Sequence, residues 1–152
     1  MDIYDEIKKD HDAVRRAIKA ICATENDDAK QRETLFLPLK NALVTHQHVE
    51  EAVLYDSLKD VEETRAEALE AINEHHVIDV LVEELSIMPK DSDEWYSKFS
   101  VLSELLEHHL KEEETEFFAV ARKVIDAPRA EELGRIYRAR MEAGLKTMQP
   151  VA

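Results

Sequence analysis

Apolar side chains recur along the chain every three or four residues, the spacing that gathers one face of an α-helix. In the first segment Ile3, Ile7, Val14, Ile18 and Ile21 fall on one stripe, which ends near Thr24, and the polar stretch TENDDAK follows as a loop. A second helix is predicted over about Gln31–Ser57, with Leu35, Leu39, Leu43, Val53 and Leu54 facing inward. Pro38 lies early in it and is expected to kink it or mark a restart, because proline has no N–H to give and its ring crowds the preceding turn. A third helix covers about Glu62–Met88, with Ala71, Ile78, Leu81, Val82 and Leu85 inward, and Pro89 stops it. Asp91 with Glu94 three residues on reads as a capping box for a fourth helix. That helix carries Leu102, Leu105, Leu106, Phe117 and Val120 on one side and ends near Ile125. Asp126 and Pro128 then open a short fifth helix over about Arg129–Thr147.

Four helices of similar length joined by short loops predict an all-α fold, an up-down-up-down antiparallel four-helix bundle over about residues 1–125, with the fifth helix as an appendage. Composition agrees. Only two glycines (Gly134, Gly144) and four prolines occur in 152 residues, too few for the turns of a sheet protein. The length fits a single domain, residues 1–152, with a sizeable core.

Charge narrows the partners. The formal net charge of -14 repels phosphate backbones and anionic membrane surfaces, which argues against nucleic-acid binding and membrane docking. No run of about 18 apolar residues exists to span a bilayer. The N-terminal MDIYDEIKKD lacks the apolar segment of a signal peptide, so a cytoplasmic location is expected. The single Cys22, among Ala20, Ile21 and Ala23, is expected to be a buried thiol in a reducing compartment.

Four of the seven histidines interrupt the apolar stripes, one on each predicted bundle helix. His11 falls between Ile7 and Val14, and His46 continues Leu39 and Leu43. His75 sits between Ala71 and Ile78, and His109 follows Leu102 and Leu105. One such histidine is ordinarily a satisfied core residue. Four converging in one core would need many partners for their ring nitrogens, and a shared metal satisfies them together. Glu50 and Glu113 each lie four residues after a histidine, His46 and His109, one turn on and on the same face. A buried glutamate without a cation is costly, so two of them beside buried histidines are best explained by bridging two cations.

His48 points to the far side of its helix from His46. His76 and His108 lie about 100° from His75 and His109, and the apolar stripes run better through the latter pair, although the sequence leaves both alternatives open. Glu51, Glu112, Glu114 and Glu116 read as the solvated face of their helices. Asp79, four residues after His75 and on its side of the helix, is harder to place: the sequence leaves open whether it is a ligand, an acceptor for a ligating imidazole or neither.

A histidine on helix one, HxxxE on helix two, a histidine on helix three and HxxxE on helix four resemble the hemerythrin-like, or HHE cation-binding, family. The local runs DHDAVR, HQHVEEAVLY, NEHHVIDVLVEEL and EHHLKEEETEFF carry the resemblance over roughly residues 1–125. It implies two iron ions held by His11, His46, Glu50, His75, His109 and Glu113, with Glu50 and Glu113 bridging and an oxo or hydroxo group as a further bridge. It also implies oxygen, peroxide or nitric oxide as the small-molecule partner. The oxygen carriers of that family have HxxxH on helix three and HxxxxD on helix four. Here position 79 is aspartate and the fourth-helix motif is HxxxE, a pattern nearer the bacterial and regulatory branch. Each iron would then have about five donors of an octahedral six. The missing fifth histidine favours reaction with a small oxidant over clean oxygen carriage.

Three other readings are weighed. A ferritin-like di-iron oxidase or iron store needs Glu-x-x-His, and no histidine here has a glutamate three residues before it. A plain interaction bundle leaves the histidines unexplained. Zinc hydrolysis lacks HExxH, and a two-carboxylate bridge suits iron or manganese better.

Overall fold

The carboxylate of Asp2 accepts the N–H of Asp5 at 2.9 Å and starts α1, Ile3–Cys22, by satisfying a donor that the first turn leaves free. In the computed structural model, which describes residues 1–148, helices follow one another to the end and no strand occurs among the described residues. After a 3₁₀ turn, Asn26–Asp28, α2 runs Ala29–Glu50 and takes Pro38 inside it without restarting. A π-helical turn, Glu51–Tyr55, and a last α turn, Asp56–Leu58, continue it. α3 spans Arg65–Ile87, three residues later at its start than the spacing predicted. α4 spans Asp93–Glu112 and passes through a second π-helical turn, Glu113–Phe117, into a closing segment, Phe118–Val124. α5 spans Ala127–Met148.

The cap of α4 differs from the expected Asp91–Glu94 box. The Ser92 hydroxyl accepts the Trp95 N–H at 3.2 Å instead, one residue later. Asp126 does open α5, its carboxylate accepting the Arg129 N–H at 2.9 Å.

α1 to α4 pack in a ring, each helix against its chain neighbour and α1 against α4. The residues predicted to face inward on α1 are all buried, whereas Leu35, Leu81, Leu105 and Val120 are only partly so. For Val120 the reason is the π-helical turn at Glu113–Phe117. A fifth residue in that turn advances the register by one, so that Phe118 and Ala121 are buried where uninterrupted α-helix would bring in Val120. Cys22, expected to be buried, is half-buried.

The apolar core divides in two. One cluster gathers Ile3, Ile7, Leu54, Tyr55, Phe117 and Phe118; the other gathers Val14, Leu43, Ile78, Val82, Leu102 and Leu106. On α1, α2 and α3 the histidine lies between residues of the two clusters, and on α4 Glu113 lies between Leu110 and Phe117 in the same way. The polar positions therefore form a layer with apolar packing above and below it.

The fifth helix is no appendage. α5 lies against both α1 and α2 and adds Leu133, Tyr137 and Met141 to the first cluster. Both glycines of the chain serve this contact. A Cβ on Gly134 would stand 2.5 Å from the Met1 carbonyl oxygen, and one on Gly144 would stand 2.6 Å from Cγ2 of Thr45. Arg138 fastens the same face through Glu6 (2.6 Å) and Asp10 (3.1 Å). None of the described helices is long and apolar enough to cross a membrane.

Candidate metal centre

His11 from α1, His46 and Glu50 from α2, His75 from α3 and His109 and Glu113 from α4 and its π-helical turn meet in the polar layer, each at most 3% exposed. Their atoms fall into two overlapping sets. His11, His46, Glu50 and Glu113 form one, and Glu50, His75, His109 and Glu113 the other; within each set one donor atom per residue lies within 4.8 Å of the rest. Glu50 and Glu113 belong to both.

Nε2 of each imidazole faces the carboxylates. His46 Nε2 is 2.9 Å from Glu50 Oε2 and His11 Nε2 is 3.1 Å from Glu113 Oε1. His75 Nε2 is 3.4 Å from Glu50 Oε1, and His109 Nε2 is 3.8 Å from Glu113 Oε2. Yet Nε2 of His11 and of His46 and all four carboxylate oxygens make no hydrogen bond. Nε2 of His75 and of His109 lie 3.1 Å apart, two nitrogens directed at one place. Buried polar atoms are ordinarily paired; a cation accepts lone pairs from several directions at once and would satisfy all of these. The residues present fit a metal site.

The electrostatics say the same. Burial pushes Glu113 well above the usual carboxylate range, and the charges of Glu50 and Glu114 add to it. Burial works against ionised Glu50 too, but attraction to His46 and His75 outweighs it and holds that carboxyl well below its ordinary value. Two facing carboxylates in a dry site cannot both ionise without positive charge beside them. Burial lowers His75 while Glu50 and Glu51 raise it, and the glutamates win, to about 9. At His109 burial prevails over Glu74 and the value falls.

Behind the imidazoles stands a second layer that the spacing of apolar residues did not reveal. Glu114 was expected on the solvated face. Its Oε2 lies 2.8 Å from Nδ1 of His11 and 2.9 Å from Arg15. Glu74 Oε1 lies 2.9 Å from Nδ1 of His109. Glu51 stands 3.6 Å from Nδ1 of His75, too far for a hydrogen bond. The fourth partner comes from α5, where the Tyr137 hydroxyl lies 2.6 Å from Nδ1 of His46 and donates to Asp10 Oδ2 at 2.6 Å. Burial, with the charges of Asp10 and Glu50, pushes the phenol upward, so it keeps its proton.

His48, His76 and His108 are exposed, and Glu116 is too. Asp79 is half-buried and belongs to neither donor set. Its Oδ1 accepts the side-chain N–H of Gln47 at 2.5 Å. An apolar cavity of about 350 Å³ between α1, α2 and α5, lined by Val14, Ala17, Leu39, Ala42 and Leu145, reaches His46.

The model of the Hemerythrin HHE cation binding domain matches residues 2–121 of this sequence. The crystal structure of a Hemerythrin HHE cation binding domain-containing protein from Mycobacterium kansasii aligns with a TM-score of 0.83 at 24% identity, over 97% of this chain and 89% of that one, a likeness of fold. No curated protein matches the sequence.

Proposed function

Because this chain belongs to the Hemerythrin HHE cation binding domain family, we propose that its polar layer holds two non-haem iron ions and reacts with oxygen, peroxide or nitric oxide. One observation carries the reading: two sets of four buried donors share Glu50 and Glu113. His11 and His46 would serve one ion, His75 and His109 the other, and the two glutamates both. Mixed imidazole and carboxylate donors in this ratio suit iron. When bound, the pair supplies one-electron redox chemistry and coordination positions open to a small oxidant.

The chain's own residues set the conditions. Glu114, Tyr137 and Glu74 each engage an Nδ1, which fixes the ring and leaves the Nε2 lone pair for the centre. The apolar clusters on either side exclude bulk water and lower the local dielectric. The apolar cavity beside His46 suits a small neutral molecule better than a charged one. With Asp79 turned to Gln47, the helix-three position that the oxygen carriers fill with histidine supplies no donor, which favours turnover over carriage.

The test is metal analysis of protein produced with ample iron, with absorption spectra before and after separate exposure to oxygen, peroxide and nitric oxide. About two irons per chain and a spectral change with at least one of the three are expected. One metal or none would sink the two-ion reading. Glu50→Ala and Glu113→Ala should each lose most of the metal, while Glu116→Ala should lose none.

A further inference from the structure

A second cleft, of about 150 Å³, opens between α3 and the α4 segment and ends on His109 and Glu113. Six carboxylates line it: Glu67, Glu70 and Glu74 from α3, and Glu112, Glu113 and Glu116 from the facing side. Glu70 and Glu116 are exposed, Glu67, Glu74 and Glu112 are half-buried, and Glu113 is 3% exposed. Acidic side chains thus run from solvent to the donor layer, and no lysine or arginine is among the lining residues. An acidic face alone would be ordinary for a chain of net charge -14. Here, however, Glu113 is among the lining residues, and both of its oxygens are buried and without a hydrogen bond.

A third donor set stands beside it. Glu74, His108 and Glu112 each offer an atom within 4.8 Å of the others, with His108 Nε2 2.9 Å from Glu112 Oε2. Glu74 touches the inner layer as well, through Nδ1 of His109 at 2.9 Å. One glutamate therefore belongs to both the outer group and the support of an inner imidazole.

We propose that this cleft is the loading port for divalent metal, with Glu74, His108 and Glu112 as a transient outer holding site from which the ion passes to the inner donors. The proposal rests on the two-ion reading above and adds where the ions come in. A lined gradient of negative charge with low-dielectric walls concentrates cations and speeds their capture. Mixed carboxylate and imidazole donors with only partial burial hold an ion loosely enough to release it, because water competes for the same positions. The structure gives the apolar cavity at His46 no such ladder of carboxylates, so the two openings suit different traffic.

Stopped-flow uptake of ferrous ion by metal-free protein, under anaerobic conditions, tests this without any turnover assay. The variant E70Q/E112Q/E116Q removes three cleft charges and leaves the inner donors alone. The control E33Q/E94Q/E142Q removes three exposed charges elsewhere. Uptake should slow about tenfold or more in the cleft variant, less than twofold in the control, and both should reach wild-type iron content. His108→Ala, which removes one donor without altering the carboxylates, should slow uptake to a smaller degree. Equal rates in all proteins, or equal slowing in cleft variant and control, would overturn the port. So would a lower final iron content in the cleft variant, which would make those residues permanent ligands. Failure of the wild type to bind iron at equilibrium would instead strike the two-ion reading, and the port with it.

Discussion

Tyr137 and His46 are 91 residues apart, yet the phenol oxygen lies 2.6 Å from Nδ1 of the imidazole. The hydroxyl gives its proton to Asp10 at 2.6 Å, so it receives the one on Nδ1 and leaves Nε2 of His46 with a lone pair that a cation beside Glu50 would accept. Three helices, α1, α2 and α5, are thereby joined through one imidazole. The fifth helix sets the protonation and angle of a candidate ligand.

Tyr137→Phe should therefore affect metal more than fold. Loss of the hydroxyl leaves Nδ1 of His46 and the Asp10 carboxylate each short of a partner, at a cost of roughly 1–3 kcal/mol. Metal affinity should fall about tenfold to a hundredfold, the usual range for an outer partner of a ligating histidine. Titration with ferrous ion in the presence of a competing chelator measures it. An unchanged affinity would mean that α5 only packs.

Gly134→Ala tests the same docking from its backbone side. The added Cβ would overlap the Met1 carbonyl and the Asp2 and Ile3 backbone, atoms that cannot rotate away. Helix propensity alone would make this substitution stabilising, so the sign decides which effect wins. Overpacking should dominate and destabilise by about 1–3 kcal/mol, read as a lower midpoint in denaturant. Gly144→Ala meets only a Thr45 side chain and should cost less. A more stable Gly134→Ala would show that α5 sits further from α1 in solution.

Much of this layout can be read in the sequence, for a physical reason. His11, His46, His75 and His109 sit on stripes of period 3.6, and a buried polar residue breaks such a stripe visibly. The same logic separates His75 from His76 and His109 from His108, since the structure leaves the second of each pair exposed. What the stripes cannot show is anything that departs from α-helical period. The two π-helical turns begin directly after Glu50 and at Glu113, with no proline or glycine in either to announce them. Glu114 escaped for that reason: on an ideal helix it follows Glu113 to the outside, whereas here it reaches His11. Tyr137 escaped because its partner is distant in the chain. The glycines of α5 were a usable signal, since Gly134 and Gly144 interrupt an otherwise helix-favouring run and point to close packing rather than to an appendage.

Removing the metal should loosen the bundle without unfolding it. Each apolar cluster is built from all four bundle helices and needs no ion to form. The polar layer between them carries buried carboxylates that a cation would offset. Chelated protein should keep its helical circular dichroism but melt lower, by roughly 10 °C if the ion contributes about 4 kcal/mol. A featureless, unfolded spectrum would mean that the clusters are weaker than their burial suggests, and an identical melting curve would mean that the layer holds no metal.

Position 79 offers the sharpest test of why this chain should consume an oxidant rather than carry oxygen. The Asp79 carboxylate is taken up by the Gln47 amide, and Gln47 is itself buried with its carbonyl oxygen unpaired. Asp79→His cannot keep an anionic acceptor there. It places a longer imidazole one turn beyond His75 on the same face of α3, which restores the HxxxH spacing of the oxygen carriers. Iron content should stay the same, peroxide consumption should slow, and any spectral change on exposure to oxygen should persist longer. Asp79→Asn supplies the comparison. Its amide oxygen can still accept the Gln47 N–H, so it should behave like the wild type in all three measurements. If Asp79→His also behaves like the wild type, residue 79 does not reach the metals from α3, and the missing fifth histidine does not explain the reactivity. If both variants lose activity equally, the Gln47 contact itself matters, and the role assigned to ligand number falls.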